Sequence, residues 1–226
     1  MISIVIPIYN GVEFFPESLL SVINQDMYNW ELIIGINGHP QNSDVYQDVT
    51  SQVNKVDEKH RSKIRVIDFY NIRGKANTLN EMVTYCNGDY IAMLDVDDIW
   101  HSNKLSMQVQ YLELYDVIGT QCVYFGSRLQ GCVPSIPLGD LQRNKYDFTT
   151  CNPIINSSVL IRKELCRWSD GIEGVEDYEL WLRLWKQNCS FYNIGSVCVQ
   201  HRLHKESAFN SQGNHLKVRD IVKKYL

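Results

Sequence analysis

The sequence predicts an α/β fold with a mostly parallel central sheet, helices on both of its faces and a less regular second half. Short apolar, β-branched runs alternate with amphipathic helical runs throughout the first half of the chain. Such a βαβ order requires crossover connections, which make the strands parallel. Each of the first four runs also ends in polar or turn residues, and ligands of open parallel sheets bind at that edge.

The first half contains four predicted strands, at residues 2–8, 31–36, 64–69 and 90–94. Helices are predicted between them at residues 14–23, 43–59 and 76–86, and another begins near residue 101. Apolar residues at helical spacing give the first of these helices an inward face. Because the carboxyl ends of parallel strands lie at one edge of a sheet, the four polar strand ends should converge on one crevice.

The second half alternates less clearly. Strands are predicted at residues 116–124 and 154–161, and a Pro- and Gly-containing loop at residues 131–145. A helix at residues 178–185 places Tyr178, Trp181, Leu184 and Trp185 on one inward face. A basic amphipathic helix at residues 214–226 should pack on the core. With no linker or domain boundary inside it, the chain is expected to form one domain over residues 1–226.

Composition excludes several functional classes. The net charge is −4 with scattered Lys and Arg, so bulk electrostatics do not favour nucleic acid. No apolar run approaches the ~20 residues of a membrane span, and the first residues lack the basic region of a signal peptide. The seven cysteines lie nine or more positions apart, which excludes a CxxC motif and favours a reducing compartment. We therefore expect a cytoplasmic protein whose membrane contact is at most peripheral.

The most specific local signal is the apolar run at residues 91–94, which passes directly into Asp95, Val96, Asp97 and Asp98. Alternation along an extended chain points Asp95 and Asp97 to the same side. Two charges ~4 Å apart repel by roughly 1 kcal/mol in water and about 4 kcal/mol near a protein surface. Such a cluster favours a cation, and oxygen ligands at a strand end suit Mg²⁺ or Mn²⁺ that also binds substrate phosphates. Taken alone, these acids are equally typical of a turn that caps the next helix.

Six segments in order resemble inverting family 2 glycosyltransferases, which have the Rossmann-like GT-A fold. They are residues 5–10, residues 31–34, the segment with Asn71, Gly74 and Asn80, the Asp-x-Asp motif at residues 95–98, residues 176–183, and residues 201–204 with Ser207. The resemblance covers roughly residues 2–210. It implies one GT-A domain, in which residues 1–100 bind the nucleotide-sugar and residues 101–226 form the acceptor and catalytic side.

The resemblance also implies roles for individual residues. The nucleotide-sugar would be contacted by Pro7, Ile8, Tyr9, Arg73, Asp95 and Arg202. Mn²⁺ or Mg²⁺ would be held on the diphosphate by Asp97, Asp98 and His204, with His201 as the less favoured histidine. Asp177 would be the general base, and Glu176 beside it would orient substrate.

The reaction implied is a metal-dependent, inverting transfer to a hydroxyl of a glycan or other acceptor. The base deprotonates that hydroxyl on the face opposite the leaving nucleotide. Positive charge from the metal and from Arg stabilises the departing diphosphate. No covalent intermediate is required.

One segment departs from the family pattern. An acidic pair usually follows the second strand, whereas this chain has Asn37. The amide of Asn both donates and accepts hydrogen bonds, so it suits a uracil edge and other bases as well. A UDP-sugar is the favoured donor.

Two other functional classes stay open at this point. A catalytically silent nucleotide-sugar or glycan-binding module is the first, although the Glu176–Asp177 pair argues against it. The second is a metal-dependent phosphatase or nucleotidyltransferase on a similar sheet. Those enzymes carry their acidic pair or basic Gly-rich loop at the first strand, where this chain has residues 10–13 with neither.

Overall fold

In a computed structural model that describes residues 1–127, 129–204 and 214–226, the nine strands found in those ranges form one sheet. The strands are β1 (Ile2–Ile8), β2 (Trp30–Asn37), β3 (Ile64–Phe69), β4 (Tyr90–Met93), β5 (Ile99–Trp100), β6 (Val117–Gly126), β7 (Gly139–Asp140), β8 (Leu160–Arg162) and β9 (Phe191–Leu203). The helices are α1 (Phe15–Ile23), α2 (Asp44–Asn54), α3 (Glu58–Arg61), α4 (Lys75–Thr84), α5 (Lys104–Gln108), α6 (Glu176–Lys186) and α7 (Asn214–Lys223).

The strand order is β3-β2-β1-β4-β8-β6-β9-β5, with β7 paired to β9. Strands β1 to β4 are parallel, as are β6 and β9, whereas β5, β7 and β8 run antiparallel to their neighbours. The mostly parallel α/β sheet predicted from the sequence is therefore confirmed. Every residue of β1 and β2 is buried, as expected for parallel strands covered on both faces.

Helices cover both faces of the sheet. One apolar core joins the sheet to α4, α6 and α7, and a second joins the opposite face to α1, α2 and α5. Trp181 and Leu184 lie in the first core, as the helical spacing predicts, and Ile221 of α7 is buried beside them. No helix in the described part of the chain is long and apolar enough to cross a membrane.

Several elements differ from the sequence prediction, among them the short strands β5 and β7, where no strand was predicted. The helix expected at residues 43–59 is two helices, because Ser43 caps α2 and Asp57 caps α3. The strand expected at residues 154–161 shortens to β8, because residues 156–158 form a 3₁₀ turn whose Ser158 hydroxyl donates to the carbonyl of Ile155. The longest strand, β9, was not predicted, since its exposed Gly195 and Ser196 interrupt the alternation of apolar residues.

The sheet topology positions a site at one edge. Strands β1, β2 and β4 are parallel and in register, with Ile8 opposite Ile36 and Val5 opposite Met93. Their carboxyl ends therefore open onto the same side. Strand β9 reaches that edge from the far half of the chain, paired with β6 and β5.

Candidate active site

A cavity of about 690 Å³ lies over the carboxyl ends of β1, β2 and β4. Its lining comes from six parts of the chain: the segments that follow these three strands, the start of α4, the start of α6, and the end of β9. Residues from both halves of the sequence thus meet in one crevice. Its size is within the range of small-molecule sites.

Most of the residues proposed from the sequence line this cavity. They are Pro7, Tyr9, Asn37, Arg73, Asp95, Asp97, Glu176 and His204. Ile8, Asp98, Asp177 and Arg202 are not part of the lining. Ile8 is fully buried in the core that contains α1 and α2, so a contact from this residue to the nucleotide would have to come from its backbone.

The wall formed by β1 and β2 is aromatic and closely packed. The ring of Tyr9 lies against Gly38, where a Cβ would come within 2.4 Å of a ring carbon. Gly38 also has a φ of +77°, which favours glycine. Nε2 of His39 lies 2.5 Å from the carbonyl oxygen of Tyr9 and holds the turn in place. Asn37 is only 4% exposed but still contributes to the cavity surface.

Asp95 is fixed by a polar set that the sequence did not reveal. Its two carboxylate oxygens accept hydrogen bonds from Nζ of Lys75 at 2.7 Å and from Nδ2 of Asn156 at 2.9 Å. Its backbone N–H donates to Oγ of Ser157 at 3.1 Å. Burial alone would raise the pKa of Asp95, but Lys75 and Asn156 outweigh it and hold this pKa below its usual value. Asp95 is therefore an ionised, oriented acceptor.

Lys75, at the first position of α4, connects the two acidic parts of the cavity. Its ammonium lies 2.7 Å from Asp95 and 3.9 Å from Oε1 of Glu176. Burial opposes its charge, but these carboxylates dominate and raise the pKa of Lys75. Its pairing with Asp95 and Glu176 was not predicted from the sequence. The available signal was a basic residue after Gly74 at a helix start that follows a parallel strand.

Replacing Lys75 by Met should lower the free energy of unfolding by about 1 to 2 kcal/mol at pH 7. This is the contribution of a hydrogen bond between charged groups, reduced because about a third of the Lys75 side chain is exposed to solvent. The folded pKa of Asp95 lies below its usual 3.8. The stability due to the pair is thus present above that value and is lost as the pH falls through the folded pKa. As the pH falls below about 3.8, the difference in melting temperature between the variant and the parent should therefore shrink. Exposed Lys223, replaced by Met, is the control; an unchanged difference at all pH values would contradict the prediction.

Asp97 is the cavity's second acid. Its Oδ2 lies 2.9 Å from Nε2 of His204, whose ring also packs against Phe14. Burial raises the pKa of Asp97 to about 6, and the nearby Asp98 and Asp95 add to this. A carboxylate whose charge is disfavoured in this way would gain from a cation placed beside it.

Asp98, in contrast, has its partners inside the protein. The residue is fully buried, Oδ2 lies 2.9 Å from Nδ1 of His201, and Oδ1 accepts the backbone N–H of Arg202 at 2.8 Å. Burial lowers the pKa of His201, but Asp98 outweighs it and raises this pKa to about 9. The charge of Asp98 is therefore compensated by His201, and its side chain is buried behind the cavity instead of lining it.

Arg202 also takes a role other than the one proposed. Its guanidinium lies between the rings of Phe14 and Phe125, at 4.5 and 4.3 Å, and pairs with Glu17. Its Nε donates to the carbonyl oxygen of Asp97 at 2.8 Å. Neighbouring residues of a strand point to opposite faces, so His201 on the cavity side places Arg202 on the other. Arg202 braces the Asp97 backbone and does not contact the cavity.

The donor set of the cavity fits a divalent cation that is shared with substrate phosphates. Within the described ranges no group of three His, Cys, Asp or Glu side chains is arranged to hold a metal ion. Asp97 and His204 nevertheless offer one carboxylate and one imidazole beside the cavity. Mg²⁺ in phosphate-transfer sites characteristically takes one or two protein carboxylates and completes its shell with phosphates and water. Ser207, proposed from the sequence, lies outside the described residues.

The start of α6 supplies the remaining acids. Glu176 lines the cavity, is 5% exposed, and its Oε2 accepts the backbone N–H of Gly174 at 2.5 Å. Asp177 lies next to it, half-buried, with Oδ2 accepting from Nδ2 of Asn152 at 3.0 Å. Burial raises the pKa of Asp177 to about 6, Glu176 adds to the increase, and Lys75 opposes it. Such perturbed carboxyl groups beside a cleft are typical of catalytic sites.

Comparison with known proteins identifies the family of the chain. The family model described as Glycosyl transferase family 2 matches residues 3–167. The chain is 29% identical over 224 residues to the UDP-Glc:alpha-D-GlcNAc-diphosphoundecaprenol beta-1,3-glucosyltransferase WfgD of Escherichia coli. That alignment covers 96% of this chain and 83% of WfgD.

Solved structures share the fold. S. aureus TarS 1-349 in complex with UDP superimposes with a TM-score of 0.72 at 15% identity, over 99% of this chain and 64% of the TarS chain. The mannosyltransferase PcManGT from Pyrobaculum calidifontis, in complex with GDP-Man and Mn²⁺, gives a TM-score of 0.68 at 15% identity. That match covers 92% of this chain and 58% of the other. At such identities these structures establish the GT-A-like fold.

Proposed function

This chain belongs to glycosyl transferase family 2 and is a glycosyltransferase, and on that premise we propose that it catalyses a metal-dependent, inverting transfer. The donor is a nucleotide-diphosphate sugar, with UDP as the favoured nucleotide, and the acceptor is a hydroxyl of a glycan. Family membership sets aside the phosphatase and nucleotidyltransferase alternatives. The observation that carries the proposal is that the Asp95–Lys75 pair, the Asp97–His204 pair and Glu176 line one cavity, beside Asp177.

The relatives support the choice of donor and acceptor class. WfgD is named for a UDP-glucose donor and for an acceptor sugar on diphosphoundecaprenol. TarS was solved with UDP in its complex. Asn37 replaces the acid that is usual after the second strand, and its amide can donate to a uracil carbonyl and accept from the ring N–H. UDP is consistent with both lines of argument.

In the proposed mechanism the residues bind the two ends of the donor differently. Tyr9 and Asn37 contact the base and ribose, and Asp95, oriented by Lys75 and Asn156, accepts a hydrogen bond from a ribose hydroxyl. Asp97 and His204 would hold the divalent cation, while Arg202 fixes the Asp97 backbone. When bound, Mn²⁺ or Mg²⁺ neutralises charge on the diphosphate leaving group.

The proposed transfer is a single displacement. Asp177 takes the proton of the acceptor hydroxyl as the acceptor oxygen bonds to the anomeric carbon. The bond from that carbon to the diphosphate oxygen breaks on the opposite face, so the configuration inverts and the nucleotide diphosphate leaves. Glu176, held by the Gly174 N–H and near Lys75, orients the substrates at the cavity wall.

The first test is thermal stabilisation by UDP, GDP, dTDP and CMP, each with Mn²⁺ and again with a chelator. A ligand at 100 times its Kd adds ~2.7 kcal/mol, a shift of several degrees for a domain of this size. We expect stabilisation by UDP that requires Mn²⁺, followed by UDP release from a UDP-sugar when a lipid-linked sugar acceptor is added. No stabilisation by any nucleotide, together with no transfer, would contradict the proposal and favour a silent module.

A further inference from the structure

A loop from the second half of the chain binds the side chain proposed as the base. Asn152, between β7 and β8, donates from Nδ2 to Oδ2 of Asp177 at 3.0 Å. Its other amide atom, Oδ1, accepts the backbone N–H of Ile154 at 3.2 Å. This second bond fixes the orientation of the amide, because Oδ1 must face an N–H group. The NH₂ group is therefore the part of Asn152 presented to Asp177.

The loop is anchored to the same turn of α6 at a second point. The hydroxyl of Tyr178 donates to the carbonyl oxygen of Phe148 at 2.6 Å. Phe148 is fully buried, stacks on Trp185 at 5.4 Å and meets Phe191 edge-on at 4.7 Å. Consecutive residues of α6, Asp177 and Tyr178, are thus both bonded to one loop whose central aromatic side chain is embedded in the core.

The charged groups that act on Asp177 come from α4 and α6, and the loop contributes a neutral hydrogen-bond donor. From α6 Glu176 disfavours the Asp177 anion, and from α4 Lys75 favours it. The titratable side chains of the loop itself are occupied locally: Asp147 bonds Thr149, and the hydroxyl of Tyr146 lies 2.8 Å from Sγ of Cys151. Asn152 supplies the hydrogen bond from the loop to the carboxylate.

We infer that Asn152 is a positioning residue for Asp177. The side-chain N–H of Asn152 holds Oδ2 of Asp177, and Oδ1 of Asp177 is left to receive the proton of the acceptor hydroxyl. A hydrogen bond donated to a carboxylate stabilises its ionised form, which is the form a general base requires. This inference rests on the proposed role of Asp177. It assigns a task to a residue that no motif in the sequence identified.

The test is the pH profile of kcat/KM for the intact chain and for Asn152→Leu and Asn152→Asp, with UDP-sugar and acceptor as substrates. Leu keeps the approximate size and removes the donor, whereas Asp keeps the shape and places an acceptor opposite Asp177. The acidic limb of the parent should lie near pH 6. In Asn152→Leu the acidic limb should move to a pH about one unit higher. The value of kcat/KM should then be roughly tenfold lower than in the parent at pH values below the limb and equal to it at higher pH. Asn152→Asp should move the limb further.

The controls separate this role from a purely structural one. Asn144→Leu alters an exposed Asn of the same half, whose amide donates to the carbonyl of Leu138, and should leave the limb in place. KM for the donor should be unchanged in both Asn152 variants. A loss of equal size at all pH values, or an unmoved limb in the better folded variant, would overturn the inference. If Asp177→Asn retained transfer, the assignment of Asp177 as the base would itself be wrong. If Asp177→Asn lost transfer but the Asn152 variants kept the parent pH profile, only the role of Asn152 would be wrong.

Discussion

Asp177→Asn is expected to lower the turnover number at least about a hundredfold while UDP binding stays unchanged. A positioned general base contributes roughly 10²–10⁴-fold, and an amide cannot take the proton. The substitution preserves size and lies outside the cavity lining, so contacts to the nucleotide should persist. The measurements are turnover at saturating donor and the dissociation constant of UDP by calorimetry.

Two further variants define the assignment. Glu176→Gln removes the neighbouring acid that lines the cavity; if it lost more turnover than Asp177→Asn, the base would be Glu176 instead. Asp220→Asn, on the exposed face of α7, is the matched control and should have parent activity. In the parent, kcat/KM should fall as the pH drops below about 6, since Asp177 must be ionised to act and its pKa is raised to about 6.

Asp97→Asn is expected to remove the Mn²⁺ dependence of UDP binding and with it nearly all transfer. Loss of an outer partner of a metal ligand already costs 10–100-fold in metal affinity, so loss of a ligand should cost at least about 100-fold. The measurement is a Mn²⁺ titration of the UDP-induced shift in melting temperature.

The same variant makes a second prediction about the protein without ligands. Asp97 is half-buried beside Asp95 and Asp98, which disfavour its charge. Neutralising it should therefore leave the melting temperature unchanged or raise it. Asp89→Asn, at an exposed position before β4, is the control. An Asp97→Asn protein that kept its Mn²⁺ response would place the metal elsewhere and contradict the proposed ligands.

The sequence predicted the part of the fold that depends on periodicity. Buried runs followed by helical runs predicted the parallel strands β1 to β4. Asp95 and Asp97 both line the cavity, but residues 95–98 form a turn, closed by the backbone N–H of Asp98 on the carbonyl oxygen of Asp95, instead of the extended run assumed from the sequence. Strand β9 escaped prediction because its pairing with β6 contains register shifts near Gln121 and its middle is exposed. Tertiary pairing, which no local pattern encodes, stabilises it.

Individual roles were harder to predict than the fold. Arg202 and Asp98 stand beside residues that line the cavity, Arg202 in a strand and Asp98 at the end of a turn. Adjacency in a motif does not reveal which side chain faces the cavity. Lys75, Asn152 and Asn156 act through contacts that span 20 to 61 positions. Such pairings become visible only when the strands and loops are placed in space.

The position of β9 has a consequence for the order in which the site can be assembled. The strand ends carrying Asp95 and Asp97 are synthesised early, whereas His204, which meets Asp97, follows 107 residues later. Closing so long a loop carries an entropic cost that nearby contacts must offset. A nascent chain still lacking β9 would therefore present Asp97 without its histidine or its backbone brace. Nucleotide binding should therefore appear late in synthesis, only after β9 has paired with the sheet.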